Sequence, residues 1–233
     1  FIPLILYTTV IFILIFLGKH LSTLIICGAT LLGMLVYAGL RKRFVLGMLM
    51  LGMIAGTVVI TKGDSFRFDR INTYKVYSLL IPNRPEPSNS PEEYQVRESL
   101  TALTSGGFLG TGMAHGRAKH YFLPEARTDY IYTIIGEEFG FLGAALVLLL
   151  HALLFFRIIK LAETQENRYH KYLMAGLGMN IFLNALINTG VSMSIIPATG
   201  NTLPFVSYGG TALLVDSISI GLVLNLTAKR RQM

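Results

Sequence analysis

The sequence predicts an all-α polytopic membrane protein with about six transmembrane helices, a large extracytoplasmic loop and a re-entrant outer segment. Three observations carry that reading. Of 233 residues, 52% are hydrophobic and only 14% charged, and the mean hydropathy of +0.56 exceeds what a soluble domain requires. Several apolar runs approach the roughly 20 residues with which a helix crosses about 30 Å of hydrocarbon. Basic residues cluster just beyond those runs, at Arg41, Lys42 and Arg43, at Arg157 and Lys160, and at Lys229, Arg230 and Arg231. That placement sets orientation across a bilayer. The formal charge of +7 therefore reads as topology and not as a nucleic-acid surface.

The apolar runs draw six spans, 1–17, 22–40, 44–61, 130–156, 173–196 and 211–228. The chain begins Phe-Ile-Pro, without an initiator Met or a basic stretch, so the first run is not expected to be a signal peptide and residues upstream are expected. Three regions follow: residues 1–61 with three helices, an extracytoplasmic loop over 62–129, and 130–233 with three more helices. Short basic loops on the cytoplasmic side put both ends of the chain in the cytoplasm and 62–129 outside. Within that loop FRFDRINTYKVYSLL suits an interfacial helix, NRPEPSNSPEE a mobile turn, and YQVRESLTALTSGG a helix with Val96, Leu100 and Leu103 on one side. GGFLGTGMAHGRAK follows as a Gly-rich loop. Between the last two spans, Pro197, Gly200, Pro204, Gly209 and Gly210 forbid a regular helix, yet Leu203, Phe205 and Val206 keep the segment apolar. Irregular backbone at a membrane edge is tolerated where protein satisfies its polar groups, so 197–210 is expected to be re-entrant.

Cys27 lies alone in an apolar run, which excludes disulfides and cysteine-ligated metals. The five His residues form no metal motif, and His151 reads as a satisfied packing residue. The chemistry concentrates in LPEARTDYIYTIIGEE, residues 123–138. Asp129 stands at the start of the fourth span, where a helix N-terminus favours negative charge; a helix cap and a catalytic carboxylate are both open readings. Arg117, Lys119 and Arg127 precede it in the glycine-rich stretch, and cations with bare amides suit a phosphate. Glu125 is a neighbouring carboxylate. Glu137 and Glu138 lie about 12 to 14 Å further along a continuous helix, which puts Asp129 above the membrane plane and the glutamates near the interface. Adjacent helical residues diverge by about 100°, so the two glutamates do not form a facing acid/base pair. They read as supports for the outer loop, with Arg67 or Arg70 as partners. Asn180, Asn184 and Asn188 share one helix face, for inter-helix bonding or a polar cavity lining, and Asp216 and Asn225 are polar residues of the last span.

Four stretches in order resemble one family. FLPEARTDYIYTIIGEEFGFLG is similar to the [YF]LPEAHTDFIFAxIGEExGxxG signature of the shape, elongation, division and sporulation proteins, the group of RodA, FtsW and SpoVE. DSFRFDRI resembles the family's RxDRI, YQVRESLTALTSGGFLGTG its YQ…SLxAxxxGGxxGxG, and IPATGNTLPFVSYGG its PxTGxTLPFxSYGG. Together they cover most of residues 64–211. Arg127 stands for the usual His, Tyr130 for Phe and Thr211 for a frequent Ser, and GKHLST replaces an acidic EPxLST-like stretch. The family has about ten spans, so this chain resembles its C-terminal six.

The resemblance implies a peptidoglycan glycosyltransferase that polymerises lipid II at the outer face of the bacterial cytoplasmic membrane, in elongation, division or sporulation. Its partner would be a class B penicillin-binding protein. The family's essential Asp falls on Asp129. Arg67, Arg70, Lys119, Glu125 and Ser207 would bind substrate, Glu137, Glu138, Gly209 and Gly210 would support the site, and a divalent cation is a candidate cofactor. Two other readings stand beside the enzyme: a lipid II flippase, which polar residues inside the spans would serve, and a non-catalytic scaffold of the division or elongation machinery.

Overall fold

The computed structural model describes residues 2–18, 21–41, 43–47, 49–50, 72–78, 81, 90–117 and 128–229. Among these the regular structure is helical: α1 Ile2–Leu17, α2 Leu21–Tyr37, α3 Pro91–Gly106, α4 Ile131–Glu163, α5 Arg168–Ser192 and α6 Gly210–Lys229. Short helical pieces lie at 43–47, 49–50 and 72–77. Most of the third expected span is outside the described residues. On length and composition α4, α5 and α6 can cross a membrane, and α1 and α2 contain shorter apolar helices. A multi-pass, all-helical membrane protein is the architecture.

Helix α5 is the hub, touching α2, α3, α4 and α6. At one end Ile158, Ala162, Met174, Ala175 and Val223 form a buried cluster edged by Met34 and Tyr37 of α2. Small residues allow that closeness: a Cβ on Gly178 would sit 2.8 Å from Ile158 Cγ2, and one on Gly33 would strike Met179. At the other end two clusters gather α3, α4, α5 and the segment 193–209. One is Ala102, Tyr130, Ile134 and Val191; the other is Tyr132, Ala144, Ala185 and Leu203. The exposed apolar surface of α1 and α6 is lipid-facing in character.

Helix α3 starts earlier than the apolar spacing suggests, absorbing Pro91, Glu92 and Glu93 from the expected turn. The local chemistry is sufficient reason. Ser90 accepts the Glu93 N–H at 3.2 Å, Pro91 fits the first helical position, and two acids stand at the positive end of the helix dipole. The piece 72–77 docks beside it through the Tyr77 hydroxyl, which donates to Glu93 at 3.0 Å. Burial, then that bond, pushes the Tyr77 phenol up from its ordinary value.

The straight fourth helix expected from the sequence is instead an elbow. Gly140 has φ 67 and ψ −166 inside α4, a conformation open to glycine and costly for other residues. The two arms fold back on each other: the Tyr132 hydroxyl donates to Ala144 O at 3.2 Å, although in one straight helix 12 residues would rise about 18 Å. Phe108 backs onto Gly140, and Phe141 N bonds Gly107 O at 2.9 Å. Consequently Glu137 and Glu138 lie at the elbow. The helix that carries the glutamates therefore does not run straight on into 141–163, as the sequence suggested. Asp129 lies just before the first arm.

Candidate active site

Three segments converge on Asp129: the residues just before α4, the last turns of α5, and the irregular stretch 197–209. Helix α4 is capped by Tyr130, without a side-chain cap bond, so Asp129 lies one residue ahead of the cap position. It is half-buried, and its Oδ2 lies 3.5 Å from where a Cβ on Gly200 would stand. Gly200 has φ +64. A bare, left-handed glycine therefore forms the wall of this carboxylate. The start of α4 places the positive end of a helix dipole nearby.

The asparagines on α5 hold this arrangement. Asn188, fully buried, donates to Asp129 O at 2.8 Å and to Asn201 O at 2.6 Å. Asn201 in turn donates to Asn184 Oδ1 at 2.9 Å, and Asn184 reaches back to Asn180 O at 2.9 Å. Of the two open readings, inter-segment bonding is what the face performs. The polar row fixes the re-entrant stretch and the Asp129 backbone in one frame. Ser207 adds a second tie: its hydroxyl donates to Thr128 O at 2.6 Å and accepts Leu203 N–H at 2.7 Å. Ser207 thus works within the protein, as a clamp between 197–209 and the approach to Asp129. The Ser22 hydroxyl of α2 donates to Thr199 O.

Deeper, His151 Nε2 lies 3.1 Å from Pro204 O and Nδ1 2.9 Å from Val147 O, while the Phe205 backbone bonds Asp216. Those contacts seat the tip of 197–209 against α4 and α6. Gly209 precedes α6, and Gly210 opens it with free space at its Cβ position.

The other glutamates support the Gly-rich loop. Glu137 is 3% exposed and accepts the Arg117 N–H at 2.7 Å. Its main-chain carbonyl takes the N–H and hydroxyl of Thr111 at 2.9 and 3.0 Å. Glu138 O takes Gly112 N–H at 3.1 Å. Between the Gly-rich loop, α3 and the elbow lies a cavity of about 530 Å³, lined by Glu98, Thr101, Ala102, Ser105, Thr111, His115, Arg117 and Glu137. Eight residues of the first arm, about 12 Å, separate Glu137 from Asp129. Sequence reasoning named Arg117 and Glu137 but not Glu98, Thr101, Ser105 or His115, which only the α3–α4 packing brings to them. Arg67, Arg70, Lys119 and Glu125 lie outside the described residues. Among the described residues no three His, Cys, Asp or Glu side chains gather to hold a metal ion.

A family model described as a cell cycle protein, of the FtsW, RodA and SpoVE group, matches residues 1–232. The chain belongs to this family. Among its relatives, a probable peptidoglycan glycosyltransferase FtsW of Geobacter sp. (strain M18) is 32% identical over 95% of this chain and 58% of its own length. The FtsW of Methylococcus capsulatus, also named a probable peptidoglycan glycosyltransferase, is 38% identical over 86% and 49%. Stage V sporulation protein E of Bacillus subtilis is 33% identical over 94% and 58%. The chain therefore spans about half the length of these curated relatives. Its fold matches a chain from a solved peptidoglycan synthase complex that coordinates polymerization and crosslinking, with a TM-score of 0.71 and 23% identity over 94% of this chain and 59% of that one.

Proposed function

We propose that this chain carries the catalytic outer-face portion of a peptidoglycan glycosyltransferase that polymerises lipid II, with Asp129 as general base. The observation that carries the reading is the seating of Asp129 at a helix start, against bare Gly200 and in the frame held by Asn188 and Asn201. The names of the FtsW relatives support the reaction class. A sugar hydroxyl attacks the anomeric carbon of a second lipid-linked sugar while Asp129 takes the hydroxyl proton. The C–O bond to polyprenyl pyrophosphate breaks as the glycosidic bond forms. The leaving group departs as an anion, so one carboxylate and a cationic clamp suffice. A single displacement inverts the anomeric centre. Arg67, Arg70 and Lys119 are proposed for that clamp, and no step is routed through a metal ion.

The orientation with residues 62–129 on the outer face of the bacterial cytoplasmic membrane, and a class B penicillin-binding protein as partner, belong to the same proposal. The resemblance in fold to a component of a polymerizing and crosslinking complex supports the partner. The test is Asp129→Asn in the complex with that transpeptidase. Lipid II polymerisation is expected to fall at least ~100-fold with folding intact. Undiminished polymer would refute the role of Asp129.

A further inference from the structure

We propose that His151 is held as the doubly protonated imidazolium and that, with the Asp216 carboxylate, it clamps one peptide group, Pro204–Phe205, at the tip of the stretch 197–209. Both ring nitrogens of His151 face main-chain carbonyl oxygens, Nδ1 at 2.9 Å from Val147 O and Nε2 at 3.1 Å from Pro204 O. A carbonyl oxygen only accepts, and a neutral imidazole carries one N–H. Either neutral tautomer would therefore set a ring lone pair against a carbonyl lone pair at hydrogen-bond distance. The ring is 7% exposed, so water does not relieve that opposition. The imidazolium donates to both oxygens.

A buried cation calls for an anion. Asp216, in the second turn of α6, lies within electrostatic reach of His151 and accepts the Phe205 N–H. Apart from these two residues, neither 139–156 nor 173–228 holds an acidic or basic side chain. Each alone would be costly inside a membrane span, yet the two meet at the same peptide group. His151 donates to its oxygen and Asp216 accepts from its nitrogen, so the two charges polarise the amide in one sense and strengthen both bonds. Phe205 has φ 62, a left-handed conformation rare outside glycine, and the clamp holds it there. Asn201 and Ser207, each within three residues of the clamped peptide, are tied to Asn188 and to Thr128 O. A tip fixed between α4 and α6 thus sets the register of these ties beside Asp129. His151 and Asp216 are positioning residues. The clamp stands on contacts within the chain, and only its effect on rate rests on the polymerase reading.

The test uses the complete membrane protein in nanodiscs at neutral pH, isotopically labelled on the histidine ring nitrogens, with His151 assigned by NMR correlation to its own backbone. Two N–H-type ring signals are expected from the parent. A pyridine-type signal from His151 overturns the proposal without recourse to any variant. Asp216→Asn keeps an acceptor for the Phe205 N–H but removes the charge. It is expected to give His151 a pyridine-type signal and to speed amide exchange across 199–208 at least tenfold, with α5 unchanged. Unchanged ring signals or unchanged exchange overturn the clamp. Asp216→Glu is expected to retain both N–H-type signals, and their loss from the folded variant would overturn the need for charge. In the complex with the proposed transpeptidase, Asp216→Asn is expected to lower kcat for lipid II polymerisation at least tenfold per folded molecule, with KM within twofold. Unchanged kcat overturns the positioning role. A parent that makes no polymer, yet shows the imidazolium and its loss in Asp216→Asn, refutes the polymerase reading and leaves the clamp standing.

Discussion

At the scale of single residues, the Asp129 segment is fixed by uncharged groups. Asn188 closes two carbonyls with one amide, on Asp129 and Asn201. Removing it deletes both of these bonds, a loss of roughly 1 to 3 kcal/mol. Asn188→Ala is therefore expected to lower thermal stability by that amount. On the role proposed for Asp129, displacing the reacting group loses rate more than affinity, so kcat should also fall about tenfold or more, with KM for the proposed lipid II substrate within about twofold. A proportional loss of folded protein with unchanged kcat per folded molecule would show Asn188 to be structural only. Ser207→Ala breaks the Thr128 and Leu203 bonds. Its expected effect is faster amide exchange across 197–209, while exchange in α5 stays unchanged.

At the scale of elements, the decisive feature is the elbow in α4. An alanine at position 140 would have to hold φ 67, and its Cβ would lie 2.6 Å from the Phe108 carbonyl carbon and oxygen. Left-handed strain alone costs about 1 to 2 kcal/mol, and backbone cannot move aside as a side chain does. Gly140→Ala is expected to destabilise by more than about 2 kcal/mol and to release the Gly-rich loop to proteolysis near Met113. Gly221→Ala in α6 is the contrast, since its Cβ would meet open space. There alanine is expected to be neutral or stabilising by up to about 1 kcal/mol. Equal melting temperatures for the two variants would show that the elbow is not strained in this way. The apolar run 139–156 pointed to a span and the acids before it to an outer end. Nothing in the hydrophobic pattern encoded a reversal at Gly140, because a sharp turn leaves periodicity on each side intact.

At the scale of the whole molecule, the charge asymmetry of the short loops gives a prediction for orientation. In a Cys27→Ser background, Met113→Cys in the exposed Gly-rich loop should react with a membrane-impermeant maleimide in intact spheroplasts. Glu166→Cys, in the turn between α4 and α5, should react only after permeabilisation. The opposite pattern would overturn the proposed orientation and with it the proposed outer-face position of Asp129. Composition and runs of apolar residues by themselves determined an all-helical, multi-pass membrane protein, because crossing hydrocarbon demands long apolar helices with internally bonded backbone. The ordered motifs around Pro124, Asp129 and Gly200 determined the family. Tertiary structure alone decided that Asp129 folds back beside 197–209, that Asn188 and Ser207 fasten it there, and that Glu98 and Arg117 share a cavity. Those outcomes depend on one glycine's backbone angle and on contacts between residues as far apart as Thr128 and Ser207, which no local pattern in the chain records.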